Sequence, residues 1–97
     1  QEAAAESGEQ VWRMPLADEY LKEVNAEIAD LNNAAGNPGA ITAALYLREF
    51  AGPFRDRWAH LDMSAPSWSS ENDGDVRKGA TGWGVRTLVR WLNSRAG

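Results

Sequence analysis

The stretch Trp58-Ala59-His60-Leu61-Asp62-Met63-Ser64-Ala65-Pro66 constrains this chain more than any other. It is a short apolar run holding one His and one Asp, closed by small residues and a proline. That length and that stop predict a buried strand over Trp58–Met63 rather than a helix. Side chains alternate across a strand, so Trp58, His60 and Asp62 share one face and Ala59, Leu61 and Met63 the other. Neither face has a freely solvated character, which suits a parallel sheet covered by helices on both sides. Such sheets bind ligands beyond the carboxyl ends of their strands, where Ser64 through Trp68 fall.

The rest of the chain reads as helices and loops. Val11, Trp12 and Met14 form a short strand or extended entry. Pro15, with Asp18 and Glu19 in the first turn, predicts a helix over Pro15–Val24 whose apolar stripe is Leu16, Tyr20 and Val24. An irregular segment or single turn follows, with Ile28 and Leu31 expected inside. Asn37 as N-cap and Pro38 as first helical position open a helix over Pro38–Phe50, ended by Gly52-Pro53. From Ala40 to Leu47 only Thr42 is polar, so this helix is expected to be buried on nearly all sides. From Ser67 to Gly82 the chain is a long polar loop, functional or disordered. A last helix over Gly82–Asn93 carries Val85, Leu88, Val89 and Leu92 at amphipathic spacing. The class is α/β, and a single strand needs sheet partners from elsewhere.

With 97 residues the chain has room for one small domain. A domain of that size buries only roughly 60–65% of its unfolded surface. Five Trp, two Phe and two Tyr are a heavy aromatic load for so thin a core. Some of them are expected to pack very efficiently, or to rest against another chain or a missing segment. The chain opens on Gln1, and residues 2–8 read as the last turns of a helix ending at a glycine, with no start signal before them. The expectation is a piece of something longer. A net charge of −4 without a basic cluster argues against nucleic acid as the main partner. No cysteine is present, which excludes a disulfide framework and thiolate chemistry and is compatible with a reducing compartment. The most apolar run, Gly39 to Leu47, is far too short to cross a bilayer.

Four groups of residues invite a chemical reading. His60 and Asp62 are either metal ligands or a catalytic dyad, or a buried pair satisfied by hydrogen bonds; the lack of a third ligand at metal-like spacing favours the second. The acidic run 71–75 suggests a calcium loop, but with Gly74 in the sixth place the first and twelfth fall on Ser69 and Ala80, which lack the needed carboxylates. Residues 78–84, Lys-Gly-Ala-Thr-Gly-Trp-Gly, enter a helix. They either hold an anion on backbone N–H groups or pack tightly with Thr81 as cap, and the second is favoured because glycine signals backbone conformation first. Arg86 and Arg90 lie one turn apart and read as a solvated face, a subunit contact or an anion site. No nucleophile context and no paired carboxylates on one rigid element accompany them.

Six ordered blocks carry a more specific likeness: Val11-Trp12-Arg13-Met14-Pro15-Leu16, Ile28-Ala29-Asp30-Leu31-Asn32-Asn33, Gly39-Ala40-Ile41-Thr42-Ala43-Ala44, Trp58-Ala59-His60-Leu61-Asp62, Lys78-Gly79-Ala80-Thr81-Gly82 and Val85-Arg86-Thr87-Leu88. From about Gly8 onward the chain resembles the C-terminal end of the leucyl (cytosol) aminopeptidase family. The resemblance implies residues 1–97 to be the C-terminal segment of one α/β/α sandwich catalytic domain, with no complete second domain. It further implies a cytoplasmic homo-hexamer that removes N-terminal residues from peptides with two divalent ions, zinc or manganese. In that family the ions activate a water and polarise the scissile carbonyl. The family signature Asn-Thr-Asp-Ala-Glu-Gly-Arg and the metal-binding and catalytic lysines lie upstream of the matched segment. The resemblance therefore assigns no metal ligand and no catalytic residue here. His60 and Asp62 match positions that are not ligands. The loop after the His-x-Asp strand lines the pocket for the substrate's N-terminal side chain, and by position Ser64 and Ser67 take those places. Many members read Ala-Gly where this chain has Ser64-Ala65, and Pro66 also departs from the usual pattern. A pocket wall that is more polar or differently shaped is implied. The rival readings are a non-catalytic binding or packing module, or an inactive relative; residues upstream would separate them.

Overall fold

A computed structural model describes all residues, Gln1–Gly97. They gather into two compact units, residues 14–61 and residues 1–13 with 62–97.

In the unit of residues 14–61 the chain enters through a 3-10 turn, Asp18–Tyr20, that runs into a short helix α2, Leu21–Val24. Helical structure thus starts at Asp18, three residues later than Pro15 suggested, and Ala17 before it is extended. The main helix, α3, spans Gly39–Arg48 and is rich in the strong formers Ala and Leu. Val24, Ile41 and Leu45 form the centre of the core, with Tyr20, Leu21, Leu31, Ala35 and Tyr46 packed around it. Leu45 is 0% exposed, a burial that stabilises by roughly 1.5–3 kcal/mol. Pro38 is the N-cap, one position later than the sequence suggested, and no side chain caps the helix. The Thr42 hydroxyl donates back to the Gly36 carbonyl at 2.8 Å, tying the preceding loop to the first turn.

Two expectations fail in this unit. Ile28 is 100% exposed, because residues 26–30 bulge outward from the bridge between Asn25 and Leu31. Helix α3 is not covered on all sides: Ile41, Thr42, Ala44 and Leu45 are buried, while Ala43 and Leu47, one turn apart, face outward. Arg48 closes the helix in an ion pair with Asp18 at 2.8 Å. A second 3-10 segment, Gly52–Arg57, follows.

The predicted strand over Trp58–Met63 does not form. The segment leaves the 3-10 turn with extended backbone at Trp58 and then runs without a ladder. A strand exists only by hydrogen bonding to a neighbour, and this chain offers none beside it. The alternation of side chains survives in part, since the Trp58 and His60 rings stack with centroids 6.2 Å apart.

In the other unit, residues 2–7 form the helix α1 (Glu2–Ser7), which ends at Gly8 in the left-handed conformation, φ 77°. The Glu9 N–H bonds the Ala4 carbonyl at 3.0 Å and the Gly8 N–H the Ala5 carbonyl at 3.3 Å, the pairing of a Schellman end. Residues 11–13 form no strand. The polar stretch after Met63 is more ordered than a plain loop. Trp68–Ser69 (β1) pairs antiparallel with Gly79–Ala80 (β2), Trp68 opposite Ala80 and Ser69 opposite Gly79. Asp73 and Val76 close the tip around Gly74, whose φ of 58° suits glycine. The last helix, α4, spans Val85–Arg95 and packs against α1. Its apolar stripe, Val85, Leu88, Val89 and Leu92, is exposed.

Candidate functional site

The residues singled out for ligand contact, Ser64 and Ser67, sit on one turn in the unit built on α1 and α4. Asp62 shapes its start. Its Oδ1 accepts from the Ser64 N–H at 3.1 Å and from the Ser64 hydroxyl at 2.5 Å. That is the local Asx geometry in which a short carboxylate stands in for a backbone acceptor. The Ser67 N–H then bonds the Met63 carbonyl at 3.1 Å. The Ser67 hydroxyl donates to the Ser64 carbonyl at 3.4 Å. Both serines are exposed, yet each hydroxyl proton is engaged within the turn. Outward the turn offers acceptor oxygens and small Cβ groups, and no free hydroxyl proton.

The far end of the turn is held from the glycine-rich segment. Thr81 donates its N–H to the Ser67 carbonyl at 2.9 Å and its hydroxyl to the Pro66 carbonyl at 2.5 Å. The same hydroxyl oxygen accepts from the Trp83 N–H at 3.2 Å. Gly82 and Gly84, at φ 68° and 94°, let the backbone turn sharply on either side of Trp83. Thr81 therefore does not cap α4, which begins only at Val85.

The cap comes from Glu9. Its carboxylate accepts from the Gly84 N–H at 3.2 Å, from the Thr87 N–H at 3.1 Å and from the Thr87 hydroxyl at 2.5 Å. Arg86 lies beside it at 3.5 Å. Glu9 is 8% exposed. The Thr87 hydroxyl, the Thr87 and Gly84 N–H groups and Arg86 together hold its carboxyl below the ordinary 4.5, against the opposing effect of burial. The glycine-rich helix entry is thus an anion site, and the anion is a carboxylate of the same chain. Nothing in the sequence pairs positions 9 and 87. The only signal was the glycine run itself.

The remaining candidates make local contacts. Asp62 builds the Asx turn, and His60 stacks on Trp58. Arg86 also faces Asp75 at 3.9 Å, and Arg90 pairs with Glu6. In the acidic loop, Asn72 accepts from the Lys78 N–H at 2.9 Å. No group of three or more His, Asp or Glu is arranged to hold a metal ion.

The chain is thus an α/β segment whose turn at residues 64–67 is braced from Asp62 and Thr81. The chain belongs to the cytosol aminopeptidase family: the pattern of that family's catalytic domain matches residues 1–89. A probable cytosol aminopeptidase of Synechococcus sp. is 45% identical over 96 residues, covering 98% of this chain and 18% of the relative. Another, from Trichormus variabilis, is 47% identical over 96 residues, covering 97% and 19%. Among solved structures, a tomato leucine aminopeptidase variant superposes with a TM-score of 0.81 at 44% identity, over 94% of this chain and 17% of that one. The bottromycin maturation enzyme BotP, in complex with Mn, gives 0.88 at 34% identity, over 99% and 21%. The chain spans about a fifth of the length of these relatives. It is an α/β segment of the family's catalytic domain.

Proposed function

We propose that this chain is the C-terminal segment of a two-metal leucyl-type aminopeptidase, which hydrolyses N-terminal residues from peptides. Within that enzyme both compact units belong to one catalytic domain. The segment supplies scaffold and, through Ser64 and Ser67, part of the wall around the substrate's N-terminal side chain. The observation that carries this reading is the uninterrupted family match over residues 1–89, together with the order of the turn at residues 64–67. The metal ligands and the catalytic groups belong to the upstream part of the domain. Two divalent ions, zinc or manganese, serve there; the Mn in BotP is in keeping with this. The working enzyme is a cytoplasmic homo-hexamer. No helix of this chain is long and apolar enough to cross a membrane.

The test is a chimera in which this chain replaces the matching segment of the tomato leucine aminopeptidase. The expected result is hydrolysis of leucine anilide that depends on manganese or zinc and is abolished by a chelator. A folded, metal-loaded chimera with no turnover, beside an active parent, contradicts the reading.

A further inference from the structure

Thr81 is half-buried, and its N–H and its hydroxyl are engaged with the segment that holds Ser64 and Ser67 and with the head of α4. Its N–H and its hydroxyl reach the two consecutive carbonyls, Ser67 and Pro66, that end the serine turn. Its hydroxyl oxygen also receives the Trp83 N–H. Trp83 is fixed on its other side, since its indole N–H donates to the Gln10 carbonyl at 3.1 Å. The next residue, Gly84, donates to the buried Glu9 carboxylate. A continuous chain of bonds therefore runs from the α1–α4 pair through Trp83 and Thr81 to the turn. Asp62 holds the start of the turn from within, and Thr81 holds its end from outside. Pro66 has no N–H, so its carbonyl is its only backbone hydrogen-bonding group, and Thr81 occupies it.

We infer that Thr81 is a positioning residue for the substrate side-chain pocket, one that sets the place of Ser64 and Ser67 through its hydroxyl. The inference rests on the pocket role proposed above for those serines. Thr81 itself touches neither substrate nor metal. Its loss lets the end of the turn drift, which alters the room left for the substrate side chain. An effect on side-chain binding is uniform between ground and transition states, so it falls on KM more than on kcat.

The experiment uses the active chimera and compares kcat/KM for leucine and alanine anilides. Thr81→Val keeps the shape and removes the hydroxyl. It is expected to change the leucine-to-alanine ratio by about two- to tenfold, the range that one hydrogen bond supports. Metal content stays at the parent value. Thr81→Ser restores the parent ratio, which a purely steric role for the threonine methyl would not allow. If Thr81→Val fails to fold, Thr81→Ala takes its place with the same expectation. An unchanged ratio in the folded variant, or a shift that serine does not restore, overturns the inference. Ser64→Leu, run alongside, separates the two levels. If it shifts the ratio while Thr81→Val does not, only the role of Thr81 falls. If it has no effect, the pocket reading itself falls.

Discussion

Glu9 and Thr87 stand 78 positions apart, and the Thr87 hydroxyl donates to the Glu9 carboxylate at 2.5 Å. This contact joins the end of α1 to the first turn of α4. The Schellman end of α1 delivers the Glu9 backbone to that place, and the vacant N–H groups of α4 receive its charge.

The first prediction follows from the sign of that interaction. The Glu9 carboxyl is held below its ordinary 4.5, so it stabilises the folded form above that pH. The contribution is lost as pH falls through the lower folded-state value. Protection of the Gly84 and Thr87 amides against hydrogen exchange should therefore decline in acid. In Glu9→Gln this dependence disappears, and protection is lower at neutral pH by about 1–3 kcal/mol, as for a lost charged hydrogen-bond partner. Equal pH profiles for parent and variant would contradict the assignment.

A second prediction concerns α3. Leu45 is fully buried against Val24 and Ile41, whereas Leu47 faces outward. Leu45→Ala should cost about 2–5 kcal/mol of local stability, read from exchange of the α3 amides. Leu47→Ala should stay within about 0.5 kcal/mol. Similar losses at both positions would mean that the outward face is covered.

Much of the architecture was legible, and the failures share a cause. The helix ends were marked by local chemistry: Gly8 after α1, Pro38 before α3 and the amphipathic spacing of α4 all appear close to where the sequence put them. The strand over Trp58–Met63 was not, because a strand is a relation between segments and no segment of this chain pairs with it. Ile28 misled for a similar reason: its apolar side chain signals burial, but burial needs a surface to meet. At the site, the family resemblance put Ser64 and Ser67 together in the loop after the His-x-Asp segment, and they lie on one turn there. The brace from Thr81 and the cap from Glu9 did not, since bonds across 15 and 75 positions leave no periodic trace.

The third prediction concerns the chain by itself. Val85, Leu88, Val89 and Leu92 form an exposed apolar stripe on α4. The isolated chain is expected to associate or to bind a hydrophobic dye, and Leu88→Ser with Leu92→Ser should reduce both. Sedimentation velocity checks this. A monomer with a sharp thermal transition and dispersed amide resonances would contradict it.

The fourth prediction is that the isolated chain, supplied with zinc or manganese, does not hydrolyse amino-acid anilides. No group on it is arranged to hold a metal. Chelator-sensitive turnover by the purified chain would contradict the assignment of the catalytic groups to the upstream part of the domain.

The most direct test of the central claim is Ser64→Leu in the active chimera. Ser64 is small, exposed and fixed by Asp62 at the start of the turn. A leucine there fills the space left for a large N-terminal side chain. A methylene in such a pocket is worth roughly 1–3 kcal/mol of discrimination. The preference is predicted to move from leucine toward alanine or glycine substrates by about tenfold or more in relative kcat/KM, with metal content unchanged. An equal loss on all substrates, a release of metal, or lower stability with selectivity intact would show that Ser64 does not line the pocket.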